Sequence, residues 1–238
     1  MAFSLSTGAQ ASLVARTGGM VYDDVNNITW AADANLFQTQ AVGNSNLVND
    51  IIAGNGGVIH DTPNILDTVA NSGTYTLTTA DFSTSNGVMT WWGAQAWANN
   101  LSLGGYTDWT LPTTVTAAYG YNQTGSQMGD LYYTQLGVSS GNNITSSTNP
   151  NYTLFTHAQN EAYWSGAENP NPGPNASNYA TTFNASVGHQ DLNTKNILKH
   201  AWAVRSGDVA AVPVPGAFWL FGSAMVGLMG LKRRGSIG

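Results

Sequence analysis

The chain has 238 residues, a formal net charge of −6 at pH 7 and no cysteine, and only 8% of its residues are charged. This length suits one domain with a tail, and the lack of cysteine excludes a disulfide framework and thiolate metal sites. The residues before the tail carry 13 acids and few basic residues, so no basic patch exists that could hold nucleic acid, and we expect no nucleic-acid partner.

The first eleven residues are predicted to be the remnant of a signal peptide. Ala9-Gln10-Ala11 has the small-x-small form of a signal-peptidase site, and a short apolar stretch precedes it. No Lys or Arg comes before Arg16, so we expect that the true start codon lies further upstream. The alternative is an unstructured N-terminus. Under the first interpretation the protein is exported, and signal peptidase is a partner.

Short strands and turns are predicted at the start of the body. The apolar residues 13–14 and 20–22 flank Gly18 and Gly19, a pattern typical of two strands joined by a turn. Another turn is expected at Asn26-Asn27, before the apolar segment 28–30.

Residues 38–88 are predicted to form a long insertion, because they are rich in Gly, Asn and Thr. Within it, residues 47–52 indicate a short helix and residues 73–79 alternate enough for a strand. The sequence shows no chemistry for this insertion.

The strongest helix signal of the body extends from Thr90 to Leu101. Thr90 is a suitable N-cap, and Gly104-Gly105 is expected to end the helix. Trp92 is expected on the flank of its apolar face. That face contains Trp91, Ala94, Trp97, Ala98 and Leu101.

A second helix is predicted from Asp130 to Leu136, with Gly137 as its stop. Residues 106–113 are expected to be extended, and Glu168 to Asn178 is too rich in Pro, Asn and Gly for regular structure. Arg205 is expected to be a paired structural residue. Core strands are predicted at residues 163–166, 179–183 and 201–205. Large aromatic side chains dominate burial energy, so we expect five tryptophans in the core: Trp91, Trp97, Trp109, Trp164 and Trp202.

A series of short motifs follows in order along the body: 89–91, 96–98, Leu101, 104–106, 108–109, 111–113, 129–133, 163–166 and 201–205. Together they resemble the domain at the C-terminus of Lcl-type collagen-like adhesins. The resemblance covers about residues 12–208 apart from the insertion, and it implies an α+β fold related to compact C-type-lectin-like domains with short antiparallel strands and two helices. It implies glycan binding only loosely. Thr110 stands where the family usually has Arg, so any ion pair of that Arg is absent.

No catalytic constellation is recognisable in the sequence. The four histidines lack zinc-site spacing, and neither a nucleophile elbow nor a phosphate-binding glycine loop is present. We therefore predict no enzyme activity, no metal and no cofactor. The alternative is an exported enzyme acting on polysaccharide, because paired carboxylates in a cleft become visible only in the fold.

Candidate ligand-binding residues lie in two segments. Glu168, Asn169 and Asn171 form a run that is similar to the Glu-Pro-Asn calcium and sugar loop of C-type lectins, with a different residue order. Asp191, Asn193 and Asn196 offer further oxygen ligands for calcium. The competing interpretation of both segments is a solvated Asn-rich turn.

The tail, residues 209–238, is predicted to contain a single membrane helix. No charge occurs from Val209 to Leu231, and a helix of that length spans about 34 Å against a hydrocarbon core of about 30 Å. Lys232, Arg233 and Arg234 then form a basic stop that holds the C-terminus in the cytoplasm. A buried core helix and a plain membrane anchor are the alternatives.

The tail also resembles the PEP-CTERM sorting signal of Gram-negative bacteria. Val212, Pro213 and Pro215 supply the Pro-x-Pro motif, a short span follows, and a basic cluster ends it; Val214 stands where the family's commonest form has Glu. The resemblance implies processing by an exosortase, a membrane-embedded cysteine transpeptidase, and only transient attachment to the inner membrane.

Taken together, these patterns predict an exported surface or matrix protein that is not an enzyme and that binds exopolysaccharide or acts in adhesion. A self-associating structural subunit of a matrix or filament is the other alternative, since a low-charge surface rich in Asn and Thr suits self-association.

Overall fold

The computed structural model describes residues 13–115, 117–171 and 175–209. The predicted signal-peptide remnant, the sorting motif (Val212, Pro213 and Pro215) and the basic stop at 232–234 lie outside these residues. Within the described residues, no helix is long and apolar enough to cross a membrane.

The described chain is a mixed α+β structure. Its α-helices are α1 (Leu36–Gly43), α2 (Leu47–Gly54), α3 (Trp91–Asn100) and α4 (Gln127–Asp130). Its strands are β1 (Leu13–Arg16), β2 (Met20–Asp23), β3 (Ile28–Ala31), β4 (Val58–His60), β5 (Thr74–Thr76), β6 (Phe82–Ser83), β7 (Val88–Met89), β8 (Ala162–Glu168), β9 (Tyr179–Asn184), β10 (His189–Thr194), β11 (Lys199–His200) and β12 (Val204–Ser206).

One sheet has four antiparallel strands in the order β1-β2-β3-β12. The predicted hairpin at its start is confirmed: β1 and β2 pair so that Arg16 lies opposite Met20, and Gly18 and Gly19 take left-handed φ angles of 82° and 76°. The turn before β3 is also confirmed, with Asn27 at a φ of 49°. Glycine and asparagine tolerate this backbone region best, which is why the sequence signal was clear.

The other large sheet has six strands in the order β10-β9-β8-β11-β7-β6. Its pairs are antiparallel except β8 with β11, which is parallel, so the prediction of antiparallel strands is wrong for this pair. The prediction of one continuous strand at 201–205 is also wrong. β11 ends at His200 in this sheet, and β12 begins at Val204 in the four-stranded sheet. The residues between them cross from one sheet to the other.

Trp202 lies in the segment that crosses between the two sheets, and its burial is the reason for the crossing. Its side chain is fully buried, its Nε1 donates to the Ala31 carbonyl at 2.7 Å, and its ring lies 5.3 Å from Trp30 and 5.2 Å from Phe155. Burying this indole between the sheets outweighs the backbone pairing that a continuous strand would make. The core prediction is confirmed for all five tryptophans, which are no more than 3% exposed: Trp91, Trp97, Trp109, Trp164 and Trp202.

Helix α3 is confirmed nearly as predicted. The Thr90 hydroxyl accepts a hydrogen bond from the Gly93 amide at 3.1 Å, and the helix ends at Asn100, four residues before the predicted glycine stop at Gly104. Trp92 is not on the flank, because it is fully buried. It packs on the ring of Tyr75, a contact from outside the helix that periodicity does not reveal.

The second predicted helix begins earlier than expected. Ser126 caps α4 by accepting from the Gly129 amide at 3.0 Å, and a π-helical turn, Leu131–Gln135, continues it. Gly137 follows with a φ of 62°, which confirms the stop. The two helices implied by the resemblance are too few, because the described residues also contain α1, which the sequence did not predict, and α2, which corresponds to the helix predicted at 47–52. Phe37 is the single buried residue of α1, so the sequence has no apolar stripe from which this helix could be predicted.

The segment 38–88 is packed into the same core as the rest of the body. Its helix α2 confirms the predicted helix, and β5 confirms the central part of the predicted strand, paired with β4 in a two-stranded sheet. Its residues Ile51, Ile59, Leu77 and Phe82 are all buried.

Arg205 is paired as predicted. Its guanidinium donates two hydrogen bonds to Asp108, at 2.8 and 2.9 Å, and lies 4.0 Å from the ring centroid of Tyr106. Thr110, where the resembled family has Arg, joins β12 through its backbone, with two hydrogen bonds to Val204.

Candidate functional site

Five of the candidate ligand residues lie at one end of strands β8, β9 and β10. Glu168 is the last residue of β8 and lies opposite Ala180 of β9, which in turn lies opposite Asn193 of β10. Neighbouring strands are about 4.8 Å apart, so Glu168 and Asn193 are separated by about 10 Å across the sheet. Despite this proximity, Glu168 belongs to one group of side chains and the other four candidates to another.

The first group, here called the lysine cluster, consists of Lys195, Asp61 and Glu168. Lys195 follows β10 directly, and its side chain is completely buried. Its Nζ donates to Asp61 Oδ2 at 2.6 Å and to Glu168 Oε2 at 2.9 Å. The other Glu168 oxygen accepts from the Thr62 amide at 3.2 Å, so a ligand would have to displace one of these partners.

Aromatic rings close the lysine cluster. Lys195 Nζ lies 4.5 Å from the ring centroid of Trp91 and 5.8 Å from that of Trp92, within the range of cation–π attraction. Tyr75 stacks on Trp92 with centroids 3.8 Å apart and planes 3° apart. The Lys195 backbone is fixed as well, because its carbonyl accepts from the Trp91 amide and its amide donates to Asn178.

Asp61 has an unusual environment for a carboxylate. Its Oδ2 accepts from Lys195, from Trp92 Nε1 at 2.9 Å and from Asn64 Nδ2 at 3.1 Å, whereas its buried Oδ1 has no hydrogen-bond partner among the described residues. Burial raises the pKa of Asp61, and the hydrogen bond from Lys195 opposes that rise. The side chains of Lys195 and Asp61, with the unpartnered Oδ1, are therefore completely buried, whereas that of Glu168 is 24% exposed.

The second group, here called the tyrosine–asparagine patch, consists of Tyr119, Tyr121, Asn169, Asn171, His189, Asp191 and Asn193. It forms where the chain around Gly120 pairs with the edge strand β10: Gly120 and Gln190 exchange two backbone hydrogen bonds of 2.9 Å. The buried Gln190 side chain also donates to the Ala118 carbonyl. This anchoring places the two tyrosines beside the strand.

Contacts between the segments hold the patch together. Tyr119 Oη donates to Asn169 Oδ1 at 3.3 Å, and the Asn171 amide donates to that same oxygen at 3.2 Å. The ring of Tyr121 meets that of His189 edge-on at 4.8 Å. Burial raises the pKa of Tyr119, and the Asp191 carboxylate adds to that rise while a hydrogen bond with Asn171 opposes it.

The patch presents polar and aromatic groups to solvent. Tyr121 is 49% exposed, and Asp191 and Asn171 are exposed. Asn193 Nδ2 donates to Thr182 Oγ1 at 2.8 Å, which fixes the side chain and leaves Asn193 Oδ1 available to accept a hydrogen bond from a ligand. The predicted irregular segment 168–178 is confirmed at residues 169–171 and 175, but its first residue ends β8 and Ala176–Asn178 forms a 3₁₀ turn; residues 172–174 lie outside the described residues.

A third group of polar side chains, His157, Asp33 and Thr39, has the residue types of a hydrolytic site. His157 Nδ1 lies 3.0 Å from Asp33 Oδ2, which also accepts from the Thr39 hydroxyl at 2.6 Å, beside a surface groove of about 270 Å³. The hydroxyl is bonded to the carboxylate and not to the imidazole, so His157 is not placed to activate it. Among the described residues, no cluster of three or more His, Cys, Asp or Glu side chains could hold a metal ion.

Sequence reasoning missed Lys195 and Asp61 of the lysine cluster, the rings of Trp92 and Tyr75 beside it, and both tyrosines of the patch. One signal was available for Lys195. It is one of four basic residues before the tail in a chain with few charges, and it directly follows a strand (the others are Arg16, Lys199 and Arg205). No signal marked Asp61, whose partner is 134 residues away.

No family model, curated protein or solved structure matches this chain.

Proposed function

We propose that this chain is an exported, non-enzymatic protein of a Gram-negative bacterium that reaches the cell surface or extracellular matrix through a PEP-CTERM signal and there binds glycan. An exosortase and signal peptidase would be its processing partners. The inner membrane would hold the C-terminal helix only transiently. The sequence features of the two termini support the route, and the tyrosine–asparagine patch supports the binding function.

The observation that carries the binding proposal is the grouping of exposed tyrosine, asparagine and aspartate side chains at one sheet edge. A sugar presents apolar C–H faces and many hydroxyls. Tyr119 and Tyr121 offer aromatic surface with a polar end. Asn169 Oδ1 and Asn193 Nδ2 are already hydrogen-bonded within the protein, so Asn169 Nδ2 is the donor and Asn193 Oδ1 the acceptor that each amide can offer a ligand. Such mixed groups, placed on and beside the edge strand β10, are what recognition of a neutral polar ligand requires.

The electrostatics of the body are compatible with such a ligand. The described patch contains one carboxylate, Asp191, and no Lys or Arg, so it favours neutral sugars or sugars held through hydroxyls over polyanions. Glu168, predicted as a ligand residue, contributes indirectly: it ends strand β8 and so positions Asn169 and Asn171.

The test is binding of the purified protein to a glycan array, followed by titration calorimetry with the best glycan. Tyr121→Ala and Asn169→Ala are expected to weaken binding at least about tenfold, a loss of about 1.4 kcal/mol. Tyr22→Ala is the matched control: Tyr22 is a half-buried tyrosine of the four-stranded sheet, bonded to Asn27, and its loss should leave the affinity unchanged. Equal binding by all three variants would refute the assignment of the patch.

A further inference from the structure

The lysine cluster has features that a structural ion pair does not need. Lys195 Nζ touches two carboxyl groups from distant parts of the chain, Asp61 at 2.6 Å and Glu168 at 2.9 Å. The side chains of Lys195 and Asp61 are completely buried, and that of Glu168 is 24% exposed. All three groups therefore meet where water has little access.

The charges and hydrogen bonds of the lysine cluster are not matched as they would be in a purely structural ion pair. One ammonium faces two carboxyl groups, and Asp61 Oδ1 is buried without a hydrogen-bond partner among the described residues. Taking ions out of water is costly unless every lone pair and proton is satisfied. A reaction that converts the Lys195 ammonium and the Asp61 acid into a neutral amide, and leaves Glu168 protonated, would relieve this cost.

We propose that Lys195 and Asp61 form an intramolecular isopeptide bond, with Glu168 as the proton carrier. Glu168 takes a proton from the Lys195 ammonium, and the amine nitrogen attacks Cγ of the protonated Asp61. As the C–N bond forms and the C–O bond breaks, Glu168 gives its proton to the departing hydroxyl, which leaves as water. The nitrogen passes its surplus proton to Glu168. The ammonium and the acid thus become an amide, one water molecule and protonated Glu168.

The surroundings of Asp61 suit an acyl acceptor. Its raised pKa, caused mainly by burial, makes the neutral acid accessible, and only the neutral acid is a good target for an amine. Trp92 Nε1 and Asn64 Nδ2 both donate to Oδ2, which is where negative charge develops when nitrogen attacks Cγ. The attacking nitrogen lies 2.6 Å from Oδ2, the oxygen bonded to that carbon, so a shift from Oδ2 towards Cγ brings it into position to attack.

The aromatic walls have a role in this reaction. The rings of Trp91 and Trp92 cover Lys195 Nζ, and Tyr75 stacks behind Trp92. They exclude bulk water, so the water that is released escapes and the amide is not hydrolysed again. The bond would join the segment 38–88 to the end of β10 and close a loop between residues 134 apart in the chain.

The test is mass spectrometry and proteolysis of the full chain after denaturation. In the wild type, the peptides that contain Asp61 and Lys195 should be recovered as one branched peptide lighter by one water molecule, and trypsin should not cut after Lys195. Glu168→Gln keeps the size of the side chain but cannot carry the proton. This variant should show the ordinary mass and be cut after Lys195.

Two further variants make the test decisive. Asp208→Asn removes a different carboxylate, one bonded to Arg16 at 2.7 Å, and should leave the loss of water unchanged. Lys195→Arg keeps the positive charge but is no nucleophile. It should lose the branched peptide even if Glu168→Gln fails to fold. A folded wild-type chain of ordinary mass that trypsin cuts after Lys195, or a loss of water that persists in Lys195→Arg, would overturn the proposal.

Discussion

Replacing Trp97 with Ala should destabilise the protein by about 3–5 kcal/mol, the usual cost of removing a buried indole. Trp97 is 1% exposed on the inner face of α3, and its ring meets Phe37 at 6.4 Å, nearly edge-on. Its Nε1 donates to Gln40 Oε1 at 2.9 Å. That hydrogen bond contributes about 1 kcal/mol at most, because the half-buried Gln40 can turn to water. Most of the loss is therefore the cavity.

Urea unfolding and calorimetry measure this effect directly. For a body of this size, each kcal/mol lowers Tm by about 2–4 °C, so a fall of about 10 °C is expected for the Ala variant. Trp97→Phe is the control: it keeps a ring against Phe37 and removes only the hydrogen bond and part of the volume, so its cost should be less than half as large. An Ala variant within about 1 kcal/mol of the wild type would show that the indole is not packed in the core.

Three other predictions concern the ion pair, the body and the tail. The hydrogen bond from Arg205 holds the pKa of Asp108 below its usual range, so the ionised carboxylate stabilises the fold above the unfolded pKa of about 3.9, and that contribution is lost as the pH falls through the lower folded pKa. Asp108→Asn should cost at most about 1 kcal/mol at pH 7, because the Asp108 side chain is 57% exposed, and parallel urea titrations should show that cost shrinking as the pH falls through the folded pKa. A chain truncated after the buried Val209 should unfold in one cooperative transition on heating. An insoluble product would contradict the prediction that the body folds without the tail. Replacing Pro213 and Pro215 with Ala should leave membrane insertion intact and block processing, because proline favours the extended conformation that a protease cleft binds. The measurement is mass spectrometry of the mature C-terminus in a host with an exosortase. If the wild-type protein keeps its basic stop there, the tail is an ordinary membrane anchor and not a sorting signal.

Local signals in the sequence determined much of the architecture. The N-cap Thr90, the glycines at 18 and 19 and the stop at Gly137 each act through neighbouring backbone atoms, so a single sequence contains what is needed to locate α3, the first hairpin and the end of the second helix. The burial of the tryptophans was predictable for a similar reason, since burying so much apolar surface is favourable in almost any arrangement.

Only the tertiary structure decided how these elements meet. Residues 201–205 look like one strand, yet the packing of Trp202 between two sheets divides that strand, and no local property of the segment indicates this. The helix α1 was missed because a single buried residue makes no periodic pattern. The lysine cluster could not be foreseen either. Asp61, Glu168 and Lys195 are ordinary polar residues when considered separately, and their chemistry depends on distances and burial that exist only once strands far apart in the chain have paired.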